Sequence, residues 1–292
     1  MSDTVPWRDF LAEAVERLTA AGVAAPEAEA RWLVEEAAGA EGPELAAALG
    51  RPAGRRGVAH FDRMLARREA GEPLQHVLGH WPFRSLDLLV DARVLIPRPE
   101  TEVVAEVALG ELDRLRAHAP DRPLIAVDLG TGSGAIGLAL AVERPRVQVW
   151  LTDVSAEALD VARANLAGVG RAATRVRVAA GSWYAALPAE LAGAVDLVVS
   201  NPPYVAPDDD LPAEVADWEP RAALVPGPTG YEALEAVVDE APAWLAPGGA
   251  LVLELAPWQA EPIAERCRRV GFGDVRVERD LTGRDRAVAA RR

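Results

Sequence analysis

Beyond about residue 120, short apolar runs alternate with longer segments in which apolar residues recur every three or four positions. The first pattern is typical of buried strands and the second of amphipathic helices. Their alternation predicts an α/β fold with a mostly parallel, doubly wound sheet. Strands are predicted at 124–129, 147–152, 175–179, 195–200 and 250–255, helices at 135–143, 156–166, 231–245 and 260–270, and a terminal hairpin at 275–278 and 286–289.

The first 80 residues have a helical pattern instead. Apolar residues recur at helical spacing from Trp7 to Leu18, and further helices are predicted over 26–38 and 61–70. Period-two alternation then predicts a β-hairpin, whose second strand would extend to 94–97. We therefore divide the chain into a small N-terminal helical bundle, a hairpin linker and a large α/β domain. The predicted bounds are 1–80, 81–97 and 98–292, and the last domain opens on a helix over 103–115 with Thr101 as its N-cap candidate.

The tetrapeptide Asn201-Pro202-Pro203-Tyr204 directly follows a predicted buried strand. In open α/β sheets, ligands bind beyond the carboxyl ends of the strands. Prolines stiffen the loop and leave carbonyls free to accept hydrogen bonds. The Asn201 side chain and the Pro202 carbonyl could hold both hydrogens of an NH2 group while Tyr204 stacks on its planar framework. The alternative interpretation of these residues is a rigid turn.

A glycine-rich loop follows the first strand of the α/β domain and leads into a helix. Such a loop lets the backbone approach a ligand closely. The spacing of glycines from Gly132 onward also fits a dinucleotide fingerprint, with Asp153 about 20 residues further on. However, Asp128 would face an anionic pyrophosphate unfavourably and suits the cationic S-adenosylmethionine better. The candidate cofactor residues are Gly130, Thr131, Gly132, Ser133, Gly134, Asp153, Asn201 and Trp183, the last of which is placed to pack on an adenine or in the core.

Composition narrows the class of partner. The net charge of −14 weighs against a polyanionic substrate, because phosphate contacts supply most non-specific affinity for nucleic acid. We found no long apolar segment and no secretory signal, and therefore expect a cytoplasmic protein that does not enter a membrane. His76 and His80 lack a nearby third ligand, so we expect no metal site, and Cys267 lies in an ordinary helical context.

Several segments together resemble the HemK/PrmC family of class I, Rossmann-like methyltransferases. They are the glycine loop, the tetrapeptide 201–204, and the segments 71–75, 94–102, 219–224, 245–249 and 280–286. The resemblance covers nearly the whole chain. It implies transfer of a methyl group from S-adenosylmethionine to the side-chain amide nitrogen of the glutamine in the Gly-Gly-Gln motif of peptide chain release factors. We also expect the helical bundle of residues 1–80 to recognise the substrate and the protein to act as a monomer.

Two other functions compete with this interpretation. A nucleic-acid amino-methyltransferase would use the same tetrapeptide on a flipped base, but it should carry a basic groove or a target-recognition domain. A non-catalytic binder of translation factors would bind S-adenosylmethionine without transferring methyl groups. The segment after Tyr204 is expected to be a solvated acidic lid that repels polyanions. Its acids are Asp208, Asp209, Asp210, Glu214, Asp217 and Glu219.

Overall fold

A computed structural model describes residues 5–292, and the chain forms two compact units. The first comprises the chain up to Gly79 together with Pro212–Trp218, and the second comprises His80–Leu211 and Glu219–Arg292. A short segment beyond the tetrapeptide therefore belongs to the helical unit, although it lies more than 130 residues further along the chain. No helix within residues 5–292 is long and apolar enough to cross a membrane.

The first unit is helical. Its helices are α1 Trp7–Ala20, α2 Pro26–Ala38, α3 Pro43–Ala48, α4 Arg55–Glu69, α5 Leu74–Leu78 and, from the returning segment, α9 Ala213–Trp218. An aromatic cluster packs α1 against α4, with the rings of Trp7 and Phe10 centred 5.5 Å apart and those of Phe10 and Phe61 5.4 Å apart. Buried Arg68 pairs with Glu29 and with Glu214, which ties the returning segment to α2 and α4.

The second unit is an α/β domain. Its strands are β1 His80–Phe83, β2 Leu86–Leu89, β3 Leu124–Leu129, β4 Val147–Asp153, β5 Val176–Ala180, β6 Val195–Ser200, β7 Leu245–Glu254, β8 Asp274–Arg279 and β9 Asp285–Arg291. Its helices are α6 Pro99–His118, α7 Ala135–Glu143, α8 Ala156–Gly168, α10 Glu232–Trp244 and α11 Ala260–Arg269.

The large sheet has the strand order β5-β4-β3-β6-β7-β9-β8. The strands from β5 to β7 are parallel, while β9 runs antiparallel to β7 and to β8. Two apolar clusters cover its opposite faces, since successive strand residues such as Ala126 and Val127 belong to different clusters. The direction of winding reverses between β3 and β6, the position where such folds bind ligands. The predicted α/β, doubly wound fold with a terminal hairpin is confirmed.

Four local predictions need correction. Val94–Pro97 is a loop, and the hairpin is β1 with β2 alone. Helix α6 begins at Pro99, because proline fits the first turn of a helix, so Thr101 lies inside it and its side chain caps nothing. Helix α4 begins at Arg55, six residues before the predicted start, and β7 begins at Leu245, five residues before it.

Candidate active site

A cavity of about 690 Å³ opens at the carboxyl ends of β3, β4 and β6, inside the second unit. It lies at the point where the winding of the sheet reverses. Its walls include the glycine loop after β3, Asp153 at the end of β4, Trp183 after β5 and Asn201 after β6. The structure therefore brings together residues of the predicted cofactor set that lie up to 71 positions apart in the chain, from Gly130 to Asn201.

The glycine loop contains three positions with a backbone conformation that only glycine adopts without strain. Gly130, Gly132 and Gly134 have φ of 69°, 54° and 87°, in the left-handed region. Gly130 to Ser133 line the cavity, whereas Gly134 lies behind them at the N-terminus of α7. Residues with this geometry turn the chain sharply and bring backbone N–H groups close to a ligand.

Asp128 fastens this loop to the following helix. Its Oδ2 accepts hydrogen bonds from the Thr131 hydroxyl at 2.6 Å and from the Gly137 N–H at 2.9 Å. A Cβ at Gly137 would lie only 2.2 Å from the Leu151 side chain, so a larger residue there would require Leu151 to move. Burial raises the pKa of the Asp128 carboxyl to about 6, while the two hydrogen bonds oppose that rise. The cavity thus has a carboxylate in its wall, which disfavours an anionic pyrophosphate and suits a cation.

Asp153 joins the loop to the end of β4. Its Oδ2 accepts from the Gly132 N–H at 3.0 Å and its Oδ1 from the Ser155 N–H at 2.9 Å. Each carboxylate oxygen has a second lone pair. Two adjacent hydroxyl groups, as in a ribose, match this orientation, and the side chain lines the cavity.

Trp183 forms another wall and adopts an uncommon backbone conformation. Its φ is 45°, in the left-handed region, which a bulky residue seldom adopts. Strain of this kind is concentrated at functional sites. Atom Cζ3 of the indole lies 3.5 Å from where a Cβ on Gly130 would be, so the ring packs against the glycine loop. A planar group bound beside that loop would meet the indole.

Asn201 directly follows β6, and a hydrogen bond orients its side chain. Its Nδ2 donates to the Thr101 hydroxyl oxygen at 3.3 Å. The amide oxygen of Asn201 is therefore the end left to accept a hydrogen bond, and Asn201 lines the cavity. Thr101 is buried in α6 and also lines the cavity. This acceptor is the feature that an NH2-binding site requires.

The rest of the tetrapeptide is held firmly. Pro203 lines the cavity, Pro202 is buried, and Tyr204 is half-buried outside the cavity lining. The Tyr204 hydroxyl donates to Glu254 Oε1 at 3.2 Å, and the Tyr204 carbonyl accepts from Gln259 Nε2 at 3.1 Å. Burial raises the pKa of the Tyr204 phenol above its usual range. The stacking role of Tyr204 stays a prediction.

The segment 94–98 covers part of the cavity and is fixed by Glu219. One oxygen of this buried carboxylate accepts from the Ile96 N–H at 3.0 Å, and the other pairs with Arg98. Glu219 is thus no part of a solvated lid, and Glu214 pairs with Arg68 in the helical unit. Asp217 lies in the same returning segment as Glu214, so three of the six predicted lid acids, Asp208, Asp209 and Asp210, remain in the exposed loop. Charge density alone does not distinguish a buried brace from an exposed face.

The contacts that Thr101, Glu254 and Gln259 make with the tetrapeptide were not predicted from the sequence. The available signal for Glu254 was an acid in an otherwise apolar strand, since buried charges are rare unless they are paired. Gln259 and Thr101 gave no comparable signal. Among residues 5–292, no group of three or more His, Cys, Asp or Glu side chains could hold a metal ion.

Comparisons with known proteins identify the domains and the fold of the chain. Residues 9–79 match the PrmC N-terminal domain, and residues 113–216 match the methyltransferase small domain. The fold resembles that of the hMettl16 catalytic domain crystallised with MAT2A 3′UTR hairpin 6, at a TM-score of 0.52 and 15% identity, with 80% of each chain covered. Fold and site together define a class I S-adenosylmethionine-dependent methyltransferase.

Relatives of similar sequence identify the family to which the chain belongs. It is 40% identical to the release factor glutamine methyltransferase of Bifidobacterium longum, over 97% of this chain and 98% of that protein. It is 41% identical to the enzyme of the same name from Deinococcus radiodurans, over 98% of each chain. The chain belongs to the release factor glutamine methyltransferase family.

Proposed function

We propose that this protein transfers a methyl group from S-adenosylmethionine to the side-chain amide nitrogen of the glutamine in the Gly-Gly-Gln motif of peptide chain release factors. A bond forms between the amide nitrogen and the methyl carbon as the carbon–sulfur bond breaks. The nitrogen loses one of its two hydrogens as a proton, and S-adenosylhomocysteine leaves. The observation that carries this proposal is the Asn201 amide oxygen, oriented by Thr101 and beside the glycine loop.

The cofactor would be held by the residues that line the cavity. Asp153 has acceptors for ribose hydroxyls, Trp183 offers a face for the adenine, and the loop from Gly130 to Ser133 brings backbone N–H groups to the ligand. S-adenosylmethionine supplies an electrophilic methyl group on a positively charged sulfur. The carboxylate of Asp128 in the cavity wall favours that charge.

The substrate amide is a poor nucleophile because its lone pair is delocalised. Asn201 and the Pro202 carbonyl would accept hydrogen bonds from the two amide N–H groups, which fixes the nitrogen and increases its electron density. Tyr204 would pack on the plane of the amide, and the bracing by Glu254 and Gln259 keeps this corner rigid. Positioning of this kind accelerates a reaction without a strong base.

The partner and the setting belong to the same proposal. We infer a protein substrate and not nucleic acid, since the chain carries a net charge of −14. The helical domain, residues 1–80, would recognise the release factor, and residues 98–292 would carry out the methyl transfer. We also propose that the protein acts as a monomer in the cytoplasm, where release factors work.

The proposal is tested by incubating the protein with methyl-labelled S-adenosylmethionine and three acceptors. These are a release factor, its variant with alanine in place of the Gly-Gly-Gln glutamine, and DNA. Label is expected on the unaltered release factor alone. Label on DNA, or on the alanine variant to the same extent, would refute the proposed substrate.

A further inference from the structure

Two segments that carry the family resemblance, 94–102 and 219–224, are joined beside the cavity by one buried carboxylate. Glu219 Oε2 accepts a hydrogen bond from the Ile96 N–H at 3.0 Å, and its Oε1 pairs with the Arg98 guanidinium. The side chain of Glu219 is 1% exposed, whereas that of Arg98 is 34% exposed. A carboxylate buried to this degree is rare unless it is paired, so both contacts are needed to keep Glu219 in place.

The residues on either side of these contacts form part of the cavity wall. Residues 94–97 line one stretch of it, and the segment after Glu219 contributes Pro220, Ala222, Ala223 and Val225. That second segment is also bonded to the end of the tetrapeptide, because the Leu224 carbonyl accepts from the Val205 N–H at 2.9 Å. Glu219 itself lies outside the cavity lining. It therefore connects two stretches of wall without reaching a ligand.

The same carboxylate fixes the beginning of α6. Arg98 is the N-cap residue of this helix, and its carbonyl accepts from the Thr101 N–H at 3.0 Å. The Thr101 hydroxyl oxygen accepts in turn from Asn201 Nδ2. Residues 94–97 form a loop and have no strand partner to hold them, so their position depends on contacts such as those of Glu219.

We propose that Glu219 is a positioning residue that holds segment 94–98 in the cavity wall and thereby sets the affinity for S-adenosylmethionine. It acts through Ile96 and Arg98. Without this carboxylate the loop would be ordered only when the cofactor binds, and the free energy of ordering would be subtracted from that of binding. The inference depends on S-adenosylmethionine as the ligand of the cavity and not on the identity of the methyl acceptor.

The protein contains a matching contact far from the cavity. Asp196 is 1% exposed, its Oδ2 accepts from the Ile125 N–H at 2.8 Å, and both of its oxygens pair with Arg122. This residue lies near the amino end of β6, whereas the cavity opens at the carboxyl end of that strand. Asp196→Asn thus perturbs the same kind of buried brace, and it should destabilise the fold without altering the cavity.

Glu219→Gln is the main test. The variant keeps the shape of the side chain, but its NH2 group must face either the Ile96 N–H or Arg98, which are both donors, so one contact is lost. We expect the Kd for S-adenosylmethionine, measured by calorimetry without a methyl acceptor, to rise about 10-fold. In Asp196→Asn the Kd should stay within about threefold of wild type, although urea unfolding shows a loss of stability in both variants. An unchanged Kd in Glu219→Gln, or an equal rise in Asp196→Asn, would overturn the proposal.

Arg98→Met tests the link from its more exposed partner, where replacement disturbs the fold less. We expect the Kd to rise about 3- to 10-fold. The double variant Glu219→Gln, Arg98→Met should bind the cofactor no more weakly than the weaker of the two single variants, since both remove one shared pair. Additive losses of affinity would contradict a common role. Because no methyl acceptor is present, these results stand whether or not a release factor proves to be the substrate.

Discussion

Asp128→Asn should change the pH dependence of stability in a way that the structure specifies. The replacement has the same shape, and its amide oxygen can still accept from Thr131 and Gly137, so the glycine loop keeps its fastening. What it removes is ionisation of a group that is 1% exposed. Burial raises the pKa of this carboxyl from 3.8 to about 6 in the folded protein.

The size and sign of the effect follow from that shift. A folded-state pKa above the unfolded value means that the folded protein binds more protons between the two, so its stability falls as pH rises through this window. The difference from 3.8 to about 6 corresponds to about 3 kcal/mol in full. Between pH 5 and pH 8, about 1.4 kcal/mol of that cost accumulates. Wild type should bear this cost and Asp128→Asn should not.

Urea unfolding of the protein without cofactor measures the difference. The free energy of unfolding of Asp128→Asn minus that of wild type should be about 1.4 kcal/mol more positive at pH 8 than at pH 5. Taking the difference between the two proteins cancels the other carboxyl groups. Asp160→Asn, at an exposed position on α8, is the matched control and should show no such change. An equal difference at both pH values for Asp128→Asn would refute the reasoning.

Two further perturbations test other parts of the structure. Glu111 is buried and pairs with Arg114, Arg276 and Arg291, so Glu111→Gln should lower the free energy of unfolding by about 3 to 5 kcal/mol, measured by urea denaturation. Burial alone would raise the pKa of Glu111, but the hydrogen bonds of these arginines overcome it and hold the pKa near 2, below the ordinary value of 4.5. The stabilisation by Glu111 should therefore be present above pH 4.5 and be lost as the pH falls toward 2. A destabilisation of Glu111→Gln below about 1 kcal/mol at neutral pH would contradict this. Trp183→Ala should weaken S-adenosylmethionine binding about tenfold in calorimetry, and an unchanged Kd would place the adenine elsewhere.

Local patterns in the sequence were sufficient to predict most of the sheet. The runs at 124–129 and 195–200 are short and apolar and end at a glycine loop and a proline pair, so their bounds agree with β3 and β6. That the candidate cofactor residues meet around one cavity was also predictable, because the ends of parallel strands meet at one edge of the sheet. Both inferences use information that lies within a few residues of each element.

The errors concern residues whose partners are distant in the chain. Val94–Pro97 has an apolar pattern like that of a strand, but Glu219, more than 120 residues away, binds its Ile96 N–H and holds it as a loop. Thr101 resembles a cap, yet its role depends on Asn201, 100 positions further on. The return of 212–218 to the helical unit likewise depends on Arg68 and Glu214, which no local pattern connects. Hydrophobic periodicity does not encode such pairings.

We expect Asn201 to hold the acceptor amide for reaction more than it holds the cofactor. The most direct test is to measure kcat with a release factor and the Kd for S-adenosylmethionine in wild type and in Asn201→Ala. We expect kcat to fall about 100- to 1000-fold while the Kd changes less than about threefold. A loss of cofactor affinity as large as the loss of turnover would contradict the account, because Asn201 would then be chiefly a cofactor ligand.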